Sequence, residues 1–313
     1  MGTAPDMPVV TLITPCRDAG RFIGRLLDSV ARQTLSAWEH VVVDDGSADE
    51  SAAVVEAYAA RDGRIRLERQ PPRGVSAARN AGYRLAGTGS RYVYFLDADD
   101  CLEPTMLETM TQYLDEHPAV GLACCDATWI DEDDRPIEAP SFPRYVPNRW
   151  WVRPLPATES ETPFVSVYCW APVMESCSVI RRSVYDATPG WDEALGQGGE
   201  GVDLFLHIAL RSRIHHVPQP LYRYRRHAGQ HSADWARHER QARAIEAKWN
   251  QLPNLAPAER ALVRAAHRFR HGRLRAAEMT GAATRYLSRG HLRDAAVCAR
   301  EAARAWAGEM LWQ

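Results

Sequence analysis

Residues 94–100 read YFLDADD: an apolar run that begins at Tyr92 ends on three carboxylates, Asp97, Asp99 and Asp100, with only Ala98 among them. Two carboxylates about 4 Å apart repel by roughly 4 kcal/mol at an effective dielectric near 20, so the knot requires solvent, a shared proton or a cation. A second acidic pair, Asp44-Asp45, follows the strand expected at 39–43 and precedes Gly46-Ser47. Taken alone, each cluster also suits a turn and a helix N-cap, because Asp, Gly and Ser favour both. What separates a turn from a site is where the surrounding elements place the acids.

Those elements alternate. VVTLI at 9–13 is a short β-branched run stopped at Pro15, and RFIGRLLDSVAR at 21–32 puts Phe22, Leu26, Leu27 and Val30 on one helical face. The pattern recurs: strand 39–43, helix 50–60, strand 65–67, helix 75–86, strand 92–96, helix 104–116 and strand 120–125. Such alternation predicts βαβ crossovers, an α/β fold with a mostly parallel sheet and helices on both faces. Ligands of these sheets sit beyond the carboxyl ends of the strands. Pro15–Asp18, Asp44–Asp45 and Asp97–Asp100 each follow a strand there. Past 131 the regularity breaks into a proline-rich stretch to Pro172 that carries Trp150, Trp151 and Trp170. A long loop of this composition is expected to be functional. A strand at 178–180, a helix at 202–211 and short strands at 214–217 and 221–224 follow, and the Ala, Arg, Leu and Glu beyond Ser232 suit three or four helices.

The 313 residues, 45% apolar and 25% charged, are ordinary globular values and exclude disordered and fibrous classes. Seven cysteines without a C-x-x-C pair predict a reduced, cytoplasmic setting rather than a zinc site. No basic start with an apolar core marks a signal peptide, and no apolar run is long enough for a membrane span. Net charge is −9 over the first 231 residues and +7 beyond them. The basic tail is therefore either a solvated helical surface or a peripheral contact on the anionic inner face of a membrane. A dinucleotide-dependent oxidoreductase is disfavoured, since Pro15-Cys16-Arg17-Asp18 stands where G-x-G-x-x-G would follow the first strand.

Several segments together resemble the inverting nucleotide-sugar glycosyltransferases of family 2, with the GT-A fold. VVTLITPCRDAGRFIGRLLDSVARQT is similar to that family's opening strand and helix, VVVDDGSADES to its base-binding loop, and YVYFLDADD to its D-x-D strand. GVSAARNAG, GWDEALGQGGEGVDLFLHIAL and LYRYRRHAGQHS continue the likeness, which covers roughly 8–231. It implies a glycosyltransferase domain at 1–231, divided into a nucleotide-sugar half (1–126) and an acceptor half (127–231), with a helical extension at 232–313. It further implies that Asp44 or Asp45 reads the nucleobase above Pro15 and Arg17, and that Arg79 faces the base or phosphates. Asp97 would lie beside the ribose, and Asp99, joined by His227, would bind Mn2+ or Mg2+ on the diphosphate. The partners implied are a nucleoside diphosphate sugar, with UDP as the nucleotide, and a glycan or lipid-linked acceptor; nucleic acid is not among them. The tryptophans of 145–172 would cover the acceptor sugar, or pack as core under the loop.

Inversion requires a base that takes the proton from the acceptor hydroxyl. The resemblance assigns it to the aspartate of a Glu-Asp pair, but here the pair reads Glu200-Gly201. Three readings follow: Glu200 is itself the base, Asp192 or Asp203 replaces it, or the site binds donor without efficient transfer. Asp203 also suits the first turn of a helix on dipole grounds alone.

Overall fold

The computed structural model describes residues 7–138, 163–170, 174–196, 199–230 and 235–271, with scattered helical positions beyond 280. Strand and helix alternate as the apolar periodicity predicts through the first half: β1 (Val10–Cys16), α1 (Gly20–Ala31), β2 (Trp38–Asp44), α2 (Ser51–Ala59), β3 (Ile65–Arg69), α3 (Val75–Leu85) and β4 (Tyr92–Phe95). After them come β5 (Cys101–Leu102), α4 (Met106–Glu116), β6 (Val120–Ile130), α5 (Pro163–Trp170), β7 (Ser178–Arg181) and α6 (Arg182–Asp186). The remaining named elements are α7 (Glu200–Ala209), β8 (Arg213–Arg225), α8 (Trp235–Gln251) and α9 (Pro257–Phe269).

One sheet joins the strands in the order β3-β2-β1-β4-β7-β6-β8-β5. β1 runs parallel to β2 and β4, β2 to β3, and β6 to β8. β7 is antiparallel to both of its neighbours, and β5 to β8. Period-two alternation divides the core between the faces. Val10, Leu12, Tyr92 and Tyr94 join the α1 and α4 residues Leu26, Leu27, Met106 and Leu107. Ile13, Val93 and Phe95 join Phe164, Leu204, Phe205 and Trp249 from α5, α7 and α8. The first C-terminal helix therefore contributes to the same core as the sheet. No helix among the described residues is long and apolar enough to cross a membrane.

Three expectations change in detail. The strands expected at 214–217 and 221–224 are one strand, β8, in which Pro218 and Pro220 fall where pairing with β6 slips from Cys125↔Val217 to Asp126↔Pro220. The missing N–H groups bulge the strand rather than end it. Within the expected loop 131–172, residues 163–170 form α5, opened by a proline at its first position, where the absent N–H costs nothing. Most of the aromatic loop 145–172 otherwise lies outside the described residues. The helix expected from 202 begins two residues earlier, after Gly199 at φ +126°.

α3 lies unusually close to the sheet. A Cβ on Gly82 would sit 2.5 Å from Ile13 Cγ2 and 3.1 Å from Val43 Cγ2, which only glycine avoids. Gly82→Ala is expected to cost about 1–3 kcal/mol through overpacking, seen as a lower urea midpoint at unchanged slope. Gly63→Ala is the control, because nothing lies within 4 Å of its added Cβ.

Candidate functional site

The register of β1 and β2 sets Cys16 opposite Asp44, so the acidic pair and the Pro15–Asp18 turn leave the sheet side by side. Asp45 N donates to Cys16 O at 2.8 Å, and Asp18, at φ +49°, donates its N–H to Ser47 Oγ and accepts from Ala48 N. The two acids then diverge in task. Asp45 accepts from Gln70 Nε2, Arg73 N and Gly74 N at 2.7–2.8 Å, tying down the chain that enters α3. Asp44 accepts one long bond, 3.3 Å, from Ser47 N and keeps acceptor capacity. Gly46 at φ +76° makes the turn between them possible, since a Cβ there would meet Pro72 Cγ at 2.6 Å. Pro15, opposite Val43 in the register, is half-buried, and Arg17 is exposed beside Asp18.

Arg79, on α3, is a charge shared by two segments far apart in the chain. Its Nη2 donates to Asp97 Oδ1 at 2.9 Å and its Nη1 to Glu200 Oε1 at 2.8 Å, while its guanidinium lies 4.2 Å over the Trp191 ring. Only 4% of its side chain is exposed. Expected to face base or phosphates, Arg79 has its cation engaged here by two carboxylates, at the end of β4 and the start of α7. Asp97 also accepts from Ser176 Oγ at 2.6 Å, so both of its oxygens are oriented by the protein.

Asp99 and His227, expected as metal ligands, converge: His227 Nε2 and Asp99 Oδ2 are 2.9 Å apart, with the imidazole packed against Phe22. Arg225 builds this corner from within. Fully buried, it donates from Nε to Asp99 O and from its amino groups to Asp131 O and Asp134 Oδ1. The third acid of the knot gains its role here. Asp100, 2% exposed, accepts from Arg225 N at 2.6 Å and from the Tyr222 hydroxyl, so it pins the turn to β8 instead of capping the next helix. Burial and the charges of Asp99 and Asp97 raise its pKa well above the carboxylate range. A different set of ligating groups, Glu246, His267 and His271, meets on the C-terminal helices; as placed, both imidazoles share one Glu246 oxygen.

Of the candidate bases, Asp203 is 1% exposed and spends its oxygens on Lys248 Nζ and Trp249 Nε1, anchoring α8 to α7. Asp192 meets the same Lys248 at 2.7 Å. Against the upward pull of burial, that hydrogen bond holds the Asp192 carboxyl below its ordinary value, which makes it a poor proton acceptor. Both acids are thus structural contacts of the C-terminal helix. Glu200 opens α7 with Oε1 on Arg79 and Oε2 on Gly199 N. Gly201, beside it, is not an empty position. A Cβ built there would lie 1.9 Å from Glu175 Oε1 and 2.4 Å from its Cδ, so the Glu175 side chain fills the place of a residue-201 side chain. Glu175 starts a single 3-10 turn, 175–177, just before β7. Its sequence surroundings carry no motif, which is why it escaped the reading of the sequence.

A model described as Glycosyl transferase family 2 matches residues 11–187. The chain belongs to glycosyl transferase family 2. It is 35% identical over 149 residues to a protein named as the uncharacterized glycosyltransferase EpsJ of Bacillus subtilis (strain 168), over 47% of this chain and 41% of that protein. Identity to the uncharacterized glycosyltransferase YibD of Escherichia coli (strain K12) is 39% over 121 residues, 38% of this chain and 34% of that one. The matched segments span less than half the length of these relatives. Among solved structures, S. aureus TarS 1-349 in complex with UDP-GlcNAc superposes with a TM-score of 0.63 at 17% identity, covering 94% of this chain and 91% of that one. The mannosyltransferase PcManGT from Pyrobaculum calidifontis, in complex with GDP-Man and Mn2+, gives 0.64 at 20% identity, covering 99% and 85%. These likenesses show the shared GT-A fold.

Breaking the family 2 site at its central cation leaves two carboxylates without their partner. Arg79→Met is expected to cost about 3–5 kcal/mol in denaturant unfolding, the range for a buried pair that loses one member. Adding Glu200→Gln should recover part of that loss in a double-mutant cycle.

Proposed function

We propose that the chain is a divalent-cation-dependent inverting glycosyltransferase that moves a sugar from a nucleoside diphosphate, with UDP as the nucleotide, to a hydroxyl of a glycan or lipid-linked acceptor. One observation carries this reading: the Asp99–His227 pair and the Asp97–Arg79–Glu200 chain stand together just past the carboxyl end of β4. The donor set suits the cation. Cis ligands about 2.1 Å from Mg2+ or Mn2+ lie about 3 Å apart, and such ions keep waters and phosphate oxygens in their other positions. An oxygen and an imidazole nitrogen at 2.9 Å match that spacing. Asp99 and His227 would hold the ion, whose contribution when bound is to neutralise charge on the departing diphosphate.

The chain's own residues do the rest. Asp44, with acceptor capacity at the end of β2, is assigned the nucleobase N–H groups, and Asp45 keeps the loop below it in shape. Asp97, oriented by Arg79 and Ser176, is assigned the ribose or its water shell. The carboxylates at the start of α7 and on the turn before β7 lie on the acceptor side. Relatives named as glycosyltransferases, and neighbours solved with UDP-GlcNAc and with GDP-Man and Mn2+, support the class of donor. A second reading rests on Gly201, where the resemblance expects aspartate: a protein that binds donor without efficient transfer.

The test is release of nucleoside diphosphate from UDP-GlcNAc, UDP-glucose and GDP-mannose, with p-nitrophenyl glycosides as acceptors. Release with Mn2+ that disappears on chelation, and a fall of about 100-fold or more in Asp99→Ala, is the expected outcome. Mn2+ binding followed by electron paramagnetic resonance should weaken in Asp99→Ala and His227→Ala. Turnover that survives full chelation removes the cation from the reading, and donor binding without release selects the binding protein.

A further inference from the structure

The missing carboxylate at position 201 has a replacement. We infer that Glu175, reaching from the 3-10 turn before β7 into the volume vacated by Gly201, is the general base that deprotonates the acceptor hydroxyl. The inference rests on the transferase reading above. It starts from a geometric match. The Glu175 Oε1, Cδ and Cγ atoms lie 1.9, 2.4 and 2.4 Å from where a Cβ on residue 201 would be, so the two positions compete for one space. Glycine at 201 is the requirement for glutamate at 175 to enter.

The alternatives are less available. Glu200 places one oxygen on Arg79 and the other on Gly199 N, so taking a proton would weaken its bond to a buried guanidinium. Asp192 and Asp203 are held by Lys248. Glu175 faces the charges of Glu200 on α7, Arg79 on α3 and Asp97 past β4. Burial first, and then the Glu200 carboxylate, push its pKa up to about 7, with Arg79 pulling the other way. A base poised near the working pH combines an ionised population with real proton affinity.

The step balances without another reagent. The acceptor oxygen forms its bond to the anomeric carbon while its proton passes to a Glu175 carboxylate oxygen. On the opposite face the bond from that carbon to the diphosphate breaks, and the diphosphate leaves with the electron pair. Glu175 then returns its proton to water. Glu200 acts as a positioning residue: it holds Arg79 and raises the basicity of its neighbour.

The experiment compares wild type, Glu175→Gln, Glu200→Gln and the double variant Glu175→Ala with Gly201→Asp, using UDP-GlcNAc, UDP-glucose and GDP-mannose, Mn2+ and p-nitrophenyl glycosides. Nucleotide binding is measured in parallel by calorimetry. Glu175→Gln is expected to lose about 100- to 10,000-fold in kcat, the span of general-base catalysis, with nucleotide affinity within a few-fold of wild type. The double variant, which frees the volume and returns an aspartate to 201, should regain at least tenfold of that loss. Because the base must be ionised, kcat/KM in wild type should rise with pH through about 7 and level above it. Glu200→Gln should lose less than Glu175→Gln and move that limb to lower pH. Glu175→Gln turning over like wild type, a Glu200→Gln variant as dead as Glu175→Gln, or a loss that the double variant fails to reverse would each overturn the assignment. A wild type that binds nucleotide but never releases diphosphate overturns the transferase reading, and Glu175's role with it.

Discussion

The structure turns on one buried cation. Arg79 belongs to α3, Asp97 follows β4 and Glu200 opens α7, and in the fold its guanidinium spans the two carboxylates at 2.8–2.9 Å. Desolvating such a group costs several kcal/mol, which only good geometry on both sides offsets. Trp191 covers its face, adding a cation–π contact that also excludes water. Its position then depends on α3 sitting close to the sheet, hence on Gly82 against Ile13 and Val43. Asp97 and Glu200 are therefore not independent: whatever moves α7 moves Asp97 through one arginine.

Around that link the acids sort by how many donors each already has. Asp45, Asp100 and Asp203 are buried, each with its oxygens engaged by the protein, and each fastens one element to another: β2 to the entry of α3, the D-x-D turn to β8, and α7 to α8. Asp44, Asp99 and Glu175 stand near them with capacity left for a ligand. The knot of three carboxylates is tolerable because it does not hold three equivalent charges. Asp100 has Tyr222 and the backbone of Arg225, Asp97 has Arg79 and Ser176, and Asp99 alone is turned toward His227.

Legibility in the sequence followed sequence distance. The alternation of apolar runs located β1 to β4 and their helices, because period and turn chemistry are local, and the acids at the strand ends came with them. Motif likeness paired Asp99 with His227 although they are far apart in the chain. What stayed hidden was decided by pairs that no local pattern records. Asp100 looks like a helix cap until β8 is known to lie beside it, and nothing near Arg79 in the chain announces Glu200 at one of its amino groups. Pro218 and Pro220 read as the end of a strand, although a bulge absorbs them. Glu175 was the hardest, because its meaning lies in the absence of a side chain at 201.

That absence also changes the chemistry a carboxylate can do. An acid at 201 would sit in the first turn of α7, where the helix dipole stabilises the ionised form and lowers proton affinity. Glu175 enters the same space from a 3-10 turn and so meets the same field, but burial and the Glu200 carboxylate across the gap raise its proton affinity. That affinity has a cost: a carboxyl raised to about 7 is largely protonated in mildly acidic solution. A carboxyl raised by burial and by the Glu200 carboxylate beside it therefore trades breadth in pH for driving force in proton transfer.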